Sequence, residues 1–162
     1  MNLTLTRRGD YVLRAALCLG RAWDERPYSK VRDVAVEMDL PASYTPQILT
    51  MLVKAGLAEA RTGRHGGYRL TRPPEQISML EIVEAAEGTV GVVRCVLWDG
   101  PCHPDHACAF HASWVTATES FRASLTATTL GEAVRTDRAI HPGGGPRRLA
   151  EPSRARGERG GR

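Results

Sequence analysis

Apolar residues recur at helical spacing through most of the first 140 positions, and the breaks between runs set out the elements. Tyr11, Leu13, Ala15, Ala16, Leu17 and Leu19 predict a first helix over residues 7–23. Val31, Val34, Ala35 and Met38 repeat at steps of three and four, with Ser29 placed to cap them as a second helix. Pro41 interrupts. Ser43 is placed to cap a third helix over 44–55, with Ile48, Met51, Leu52 and Ala55 inward. Pro46 then falls in the first turn, where a missing N–H removes no intrahelical bond, and Gly56 suits the C-terminal stop. Residues 57–61 and 67–71 change to strand-like character around the glycine-containing turn 62–66. Two helices, a short link and a β-hairpin follow the order of a winged helix-turn-helix.

Pro73-Pro74 ends that unit. Ser78 and Glu81 form a capping box, predicting a helix over 79–87 that stops at Gly88. A long helix from residue 107 carries Phe110, Trp114, Ala117, Phe121 and Leu125 at steps of four, three, four and four. The residues from Cys108 to Leu125 would span ~27 Å of helix, and so small a chain offers little to cover the apolar stripe, so a dimer seam is expected. Thr129 and Glu132 form a second capping box and open a short last helix. The expected architecture is mainly α. Residues 1–74 form a winged helix-turn-helix DNA-binding domain, and 75–138 a cysteine loop with dimerisation helices. The Gly-, Pro- and Arg-rich stretch 139–162 is expected to be disordered.

Charge sharpens the first half. Residues 1–72 hold twelve Lys or Arg against seven Asp or Glu, within a chain of net charge +4. A basic N-terminal half attracts phosphate. No apolar run approaches the ~18 residues of a bilayer span, and the first residues lack a signal-peptide core, so a reducing cytoplasm is expected.

Three cysteines fall within fourteen residues, Cys95, Cys102 and Cys108, separated by Gly, Pro, His and Asp. An odd set cannot pair among itself, whereas thiolates gathered on one polar loop are soft metal ligands. Residue chemistry leaves two occupants open. Zinc usually prefers a shorter Cys knuckle, absent here, although a set including His111 is legal for it; the wide gaps also suit an iron–sulfur cluster. Cys18, among Ala15, Leu17 and Leu19, reads as a small core residue.

These features in this order resemble the Rrf2 family of bacterial homodimeric transcription regulators. The resemblance covers residues 1 to about 137. It rests on Gly9-Asp-Tyr-Val-Leu-Arg-Ala15, Ser43-Tyr-Thr-Pro-Gln47, the wing Arg61-Thr-Gly-Arg-His-Gly-Gly-Tyr-Arg-Leu70, and Ile77-Ser-Met-Leu-Glu-Ile-Val-Glu-Ala85. The cysteine triplet and Thr129-Leu-Gly-Glu-Ala-Val134 complete it. The resemblance implies an iron–sulfur cluster on Cys95, Cys102 and Cys108. In nitric-oxide-sensing members a helix 1 aspartate of the other subunit completes the set, which Asp10 matches and which implies 4Fe–4S. In members regulating iron–sulfur biogenesis a histidine three residues after the last cysteine does so; His111 matches that and keeps 2Fe–2S open. His103 and His106 are further candidates.

For DNA, Ser43, Tyr44, Thr45 and Gln47 crowd the helix 3 end that enters a major groove, and Gln bonds an adenine edge bidentately. Arg61, Arg64 and His65 on the wing are placed for backbone or minor groove, as the family's wing is, while Lys54 and Arg69 are expected only to solvate the surface. The expected function is a homodimeric regulator, a repressor, on a pseudo-palindromic operator, its binding gated by a cluster sensing nitric oxide or oxidants. Alternatives are a 2Fe–2S regulator of iron–sulfur biogenesis and a zinc- or thiol-dependent regulator without a cluster. No nucleophile–base or paired acid–base pattern suggests an enzyme.

Overall fold

The computed structural model describes residues 5–91, 97, 100, 102 and 108–142. Six α-helices and one two-stranded sheet follow in the order α1 (Arg7–Arg21), α2 (Val31–Glu37), α3 (Thr45–Lys54), β1 (Ala58–Arg61), β2 (Gly67–Leu70), α4 (Met79–Glu87), α5 (His111–Ala127) and α6 (Leu130–Ile140), with a 3-10 turn at Pro74–Gln76. This is the mainly α, winged helix-turn-helix architecture expected from the pattern.

α1 begins at Thr6, whose hydroxyl accepts the Gly9 N–H, and buries Val12, Ala15, Ala16, Cys18 and Leu19. It stops two residues short of the expected end. α2 is not capped by Ser29. Lys30 holds the cap position without a side-chain bond. Ser29 lies in an extended bridge, exchanging both backbone bonds with Tyr68 of β2 at 2.8 Å, and that pairing ties the helix pair to the wing.

Ser43 does not cap α3 either. The chain turns at Pro41, whose carbonyl accepts the Tyr44 and Thr45 N–H groups and the Thr45 hydroxyl at 2.9–3.0 Å, so the helix starts at Thr45. Its inward face is Ile48, Leu49 and Leu52, with Ala55 exposed. Gly56 closes it at φ +72°. β1 and β2 pair antiparallel, Ala58 opposite Leu70 and Arg61 opposite Gly67.

α4 matches the expected bounds, and its capping box is formed on both sides between Ser78 and Glu81. The Thr129–Glu132 box opens α6, which runs to Ile140, past the boundary expected for the tail. Residues 143–162 lie outside the described residues. The core does not stop at residue 74: Val12, Leu19, Ile48 and Leu52 share one cluster with Ile77, Ile82, Leu130 and Val134. α1 is the central helix, packed by α4 and α6 as well as by α3 and β2. α5 begins at His111, four residues later than expected, and buries none of its residues.

Candidate nucleic-acid interface and cysteine segment

The sequence-predicted DNA residues divide into presented and structural ones. Ser43 and Gln47 are exposed at the start of α3, beside exposed Pro46 and Thr50. Tyr44 is half-buried, edge-on to Tyr11 with ring centres 6.2 Å apart. Thr45 corrects the sequence reading. It is fully buried and its hydroxyl is spent on Pro41, because the helix start needs that bond more than the surface does. On the wing, Arg61, Arg64 and His65 are all exposed.

Two supports of the wing escaped the sequence reading. Lys30 Nζ donates to the Arg64 carbonyl at 2.7 Å, holding the wing tip against the start of α2. Arg69 does more than solvate: its guanidinium lies over the Trp23 ring, 4.8 Å from the centroid. A lone lysine before a helix carried no pattern to reveal the first, and Trp23 and Arg69 are too far apart in sequence to reveal the second.

The cysteines also divide. Cys18 sits in the core; burial pushes its thiol up to about 12, with Glu37 adding to the effect, so it stays protonated and unreactive at neutral pH. Cys102 and Cys108 are half-buried. The Cys102 Sγ lies 3.1 Å from Nδ1 of His111, and the Cys108 carbonyl accepts the His111 N–H at 2.9 Å. Cys108 therefore precedes α5 and does not share a helix face with His111, whose ring meets Cys102 instead. Cys95, His103 and His106 lie outside the described residues. No cluster of three or more metal-capable side chains occurs among the described residues. Asp10, in the first turn of α1, is held by Arg14 of the same helix through bonds of 2.8 and 3.0 Å.

Residues 5–136 match the Rrf2 family model, described as an iron-dependent transcriptional regulator. The chain belongs to the Rrf2 family. It is 31% identical to the regulator NsrR of Geobacillus kaustophilus over 138 residues, 85% of this chain and 92% of that one. It is 28% identical to the regulator IscR of Cronobacter sakazakii, covering 85% and 84%. Its fold superimposes on CymR, the global cysteine regulator of B. subtilis, with a TM-score of 0.69 at 24% identity over 83% of this chain and 98% of that one. This is a DNA-binding transcriptional regulator of the Rrf2 type, not an enzyme. Among the described residues no helix is long and apolar enough to cross a membrane.

In this Rrf2 protein the near flank of the cysteine segment is tied to α1. Glu87, last residue of α4, accepts both the Thr6 N–H at 3.1 Å and the Thr6 hydroxyl at 2.6 Å through one oxygen. A carboxylate there also suits the positive N-terminal end of α1. Gly9 makes room for it: a Cβ on Gly9 would lie 2.2 Å from that oxygen. On the far flank, Phe110 just before α5 and Trp114 and Phe121 within it are exposed. Trp114, Ala117 and Phe121 line a cleft of about 380 Å³ with residues 89–91.

Proposed function

We propose that this regulator is a homodimer whose operator affinity is set by an iron–sulfur cluster on Cys95, Cys102 and Cys108, with Asp10 of the second copy as fourth donor to a 4Fe–4S cluster. The observation that carries the cluster, and not the choice of Asp10, is the Cys102–His111 contact. It brings a soft sulfur and an imidazole nitrogen to 3.1 Å at a segment whose flank is bonded to α1. Thiolate and imidazole are donors that iron accepts. When bound, such a cluster supplies iron centres that react with nitric oxide or oxidants. The chain supplies the rest. Cys102 and Cys108 present sulfur, and Glu87 links the start of the segment to Thr6. α1 carries any shift to α3, against which it packs.

Asp10 in this structure is neutralised by Arg14, so an iron must compete with that pair. The same Cys102–His111 contact therefore favours a second reading, in which His111 is the fourth donor to a 2Fe–2S cluster. The exposed aromatic face of α5 supports pairing with a second copy, and a twofold dimer is suited to a pseudo-palindromic operator. Gln47 and Ser43 would then meet base edges, and Arg61, Arg64 and His65 the phosphates.

Anaerobic reconstitution followed by native mass spectrometry gives cluster mass and subunit number together. Asp10→Ala is expected to change the bound mass or visible spectrum while His111→Ala leaves them; the reverse pattern selects the second reading. A colourless, iron-free protein with unchanged operator affinity in the triple cysteine-to-serine variant ends both. Arg64→Ala should weaken binding to all DNA alike and flatten the salt slope by about one unit.

A further inference from the structure

The cysteine segment leaves α4 through Val90 and returns at Cys108 into α5. One side chain of α5 bonds to the near flank. Arg122, well inside α5, donates from Nη1 to Glu84 Oε1 at 2.5 Å and to the carbonyl oxygen of Val90. The same Glu84 oxygen accepts the Val90 N–H at 3.0 Å. Both backbone polar groups of Val90 are thus engaged by one ion pair, and that pair bridges α4 and α5. Surface ion pairs are ordinarily worth little, because water screens them and two long side chains lose freedom. This one differs by grasping backbone on a third segment.

The placement matters because α5 buries no residue of its own. Its half-buried stripe has Val115 and Leu125 as apolar members, and Arg122 lies between them on that stripe. His111 and the preceding Cys108 inherit whatever position α5 takes. A tie from Arg122 to Val90 sets how far apart the two flanks of the segment stand.

We propose that Arg122 is a positioning residue for the cluster, holding Val90 to Glu84 so that the near flank of the segment and the α5 flank bearing Cys108 and His111 keep one separation. The inference rests on the cluster reading above. Groups hydrogen-bonded to a metal's ligands contribute about 10- to 100-fold to metal affinity; Arg122 acts one step further back, on backbone leading to them, so the low end of that range is expected.

The test uses the full chain, reconstituted without oxygen from ferrous iron and sulfide, as wild type, Arg122→Ala, Arg122→Met, Arg122→Lys and Glu84→Gln. Two quantities are read: the rate at which an iron chelator bleaches the visible absorbance, and hydrogen exchange of the Val90 amide in the cluster-free protein. Arg122→Ala is expected to load the same iron per chain, bleach about tenfold faster, and exchange the Val90 amide faster. Glu84→Gln keeps an oxygen for both bonds and removes only the charge, so it should move both quantities the same way by a smaller amount. Arg122→Lys keeps a cationic nitrogen able to bridge both acceptors and should restore most of the retention. If Arg122→Ala does not fold, Arg122→Met decides, since it keeps the long apolar stem and removes both bonds. Wild-type bleaching in the folded variants overturns the proposal, even where Val90 exchange rises, because the tie would then be structural only. A wild-type chain that takes up no iron overturns the cluster reading and this inference with it; that failure shows before any substitution is made.

Discussion

Helices α4 and α5 are neighbours in space and opposites in how they are held. α4 has nine residues and buries Leu80, Ile82, Val83 and Ala86, with a complete capping box at its start. α5 has seventeen residues and three large aromatics at or just before its start and along its length, yet buries nothing and has no side-chain cap. Apolar content separates them only in part: six of nine residues in α4 against eight of seventeen in α5. What separates them further is whether this chain supplies the opposing surface. α1 covers α4, and burial of each large aliphatic side chain contributes about 1.5–3 kcal/mol. The aromatic edge of α5 faces outward beside a cleft that a second copy could fill.

The largest expected effect breaks the comparison from the α4 side. Ile82→Ala removes a fully buried side chain and should cost about 2–5 kcal/mol in denaturant unfolding, at any protein concentration. Trp114→Ala with Phe121→Ala tests the α5 side. If that face pairs with another copy, the double variant should dissociate at a protein concentration at least about tenfold higher by analytical ultracentrifugation, roughly 1.4 kcal/mol or more. Its low-concentration unfolding should change little, since exposed substitutions usually stay within about ±0.5 kcal/mol.

Next comes the core thiol beside α1. The folded pKa of Cys18 is raised from 9.0 to about 12, so the stability it contributes is present below pH 9 and lost as pH rises toward 12. The slope in that window is at most about 1.4 kcal/mol per pH unit. Cys18→Ala should flatten the difference between unfolding at pH 8 and pH 10; an unchanged slope would show that the thiol ionises normally in the fold. The smallest effect is at the α4 cap. Ser78→Ala should cost about 1 kcal/mol in denaturant unfolding.

Much of this is legible in the residue order. The α4 bounds and both capping boxes follow from local rules, because a Ser or Thr three residues before Glu satisfies orphan N–H groups whatever surrounds it. The hairpin followed from glycines and a change of period. Ser29 and Ser43 were misread as caps for one reason: each was judged by its immediate neighbours. Ser29's backbone was claimed by Tyr68, thirty-nine positions away, and the turn before α3 was claimed by Pro41. Thr45 failed likewise, since a hydroxyl near a recognition helix can face DNA or close the turn beneath it.

The candidate site divides along the same line. Cys102, Cys108 and His111 are conspicuous by residue type, and so are the basic residues of the wing. Which nitrogen meets which sulfur was not. His111 stands three residues after Cys108 in the chain, but its ring meets Cys102, and Cys108 lies outside the helix. Arg122 carried no signal at all.

Local residue order alone specified the helices, the hairpin and the presence of a thiol-rich segment, since period, caps and turn residues act within a few positions. Folding in three dimensions decided which of those residues are buried and which oxygen or nitrogen each polar group meets. It set Glu87 on Thr6, Arg122 on Val90 and His111 on Cys102, because such pairings depend on how helices cross and not on how residues are spaced.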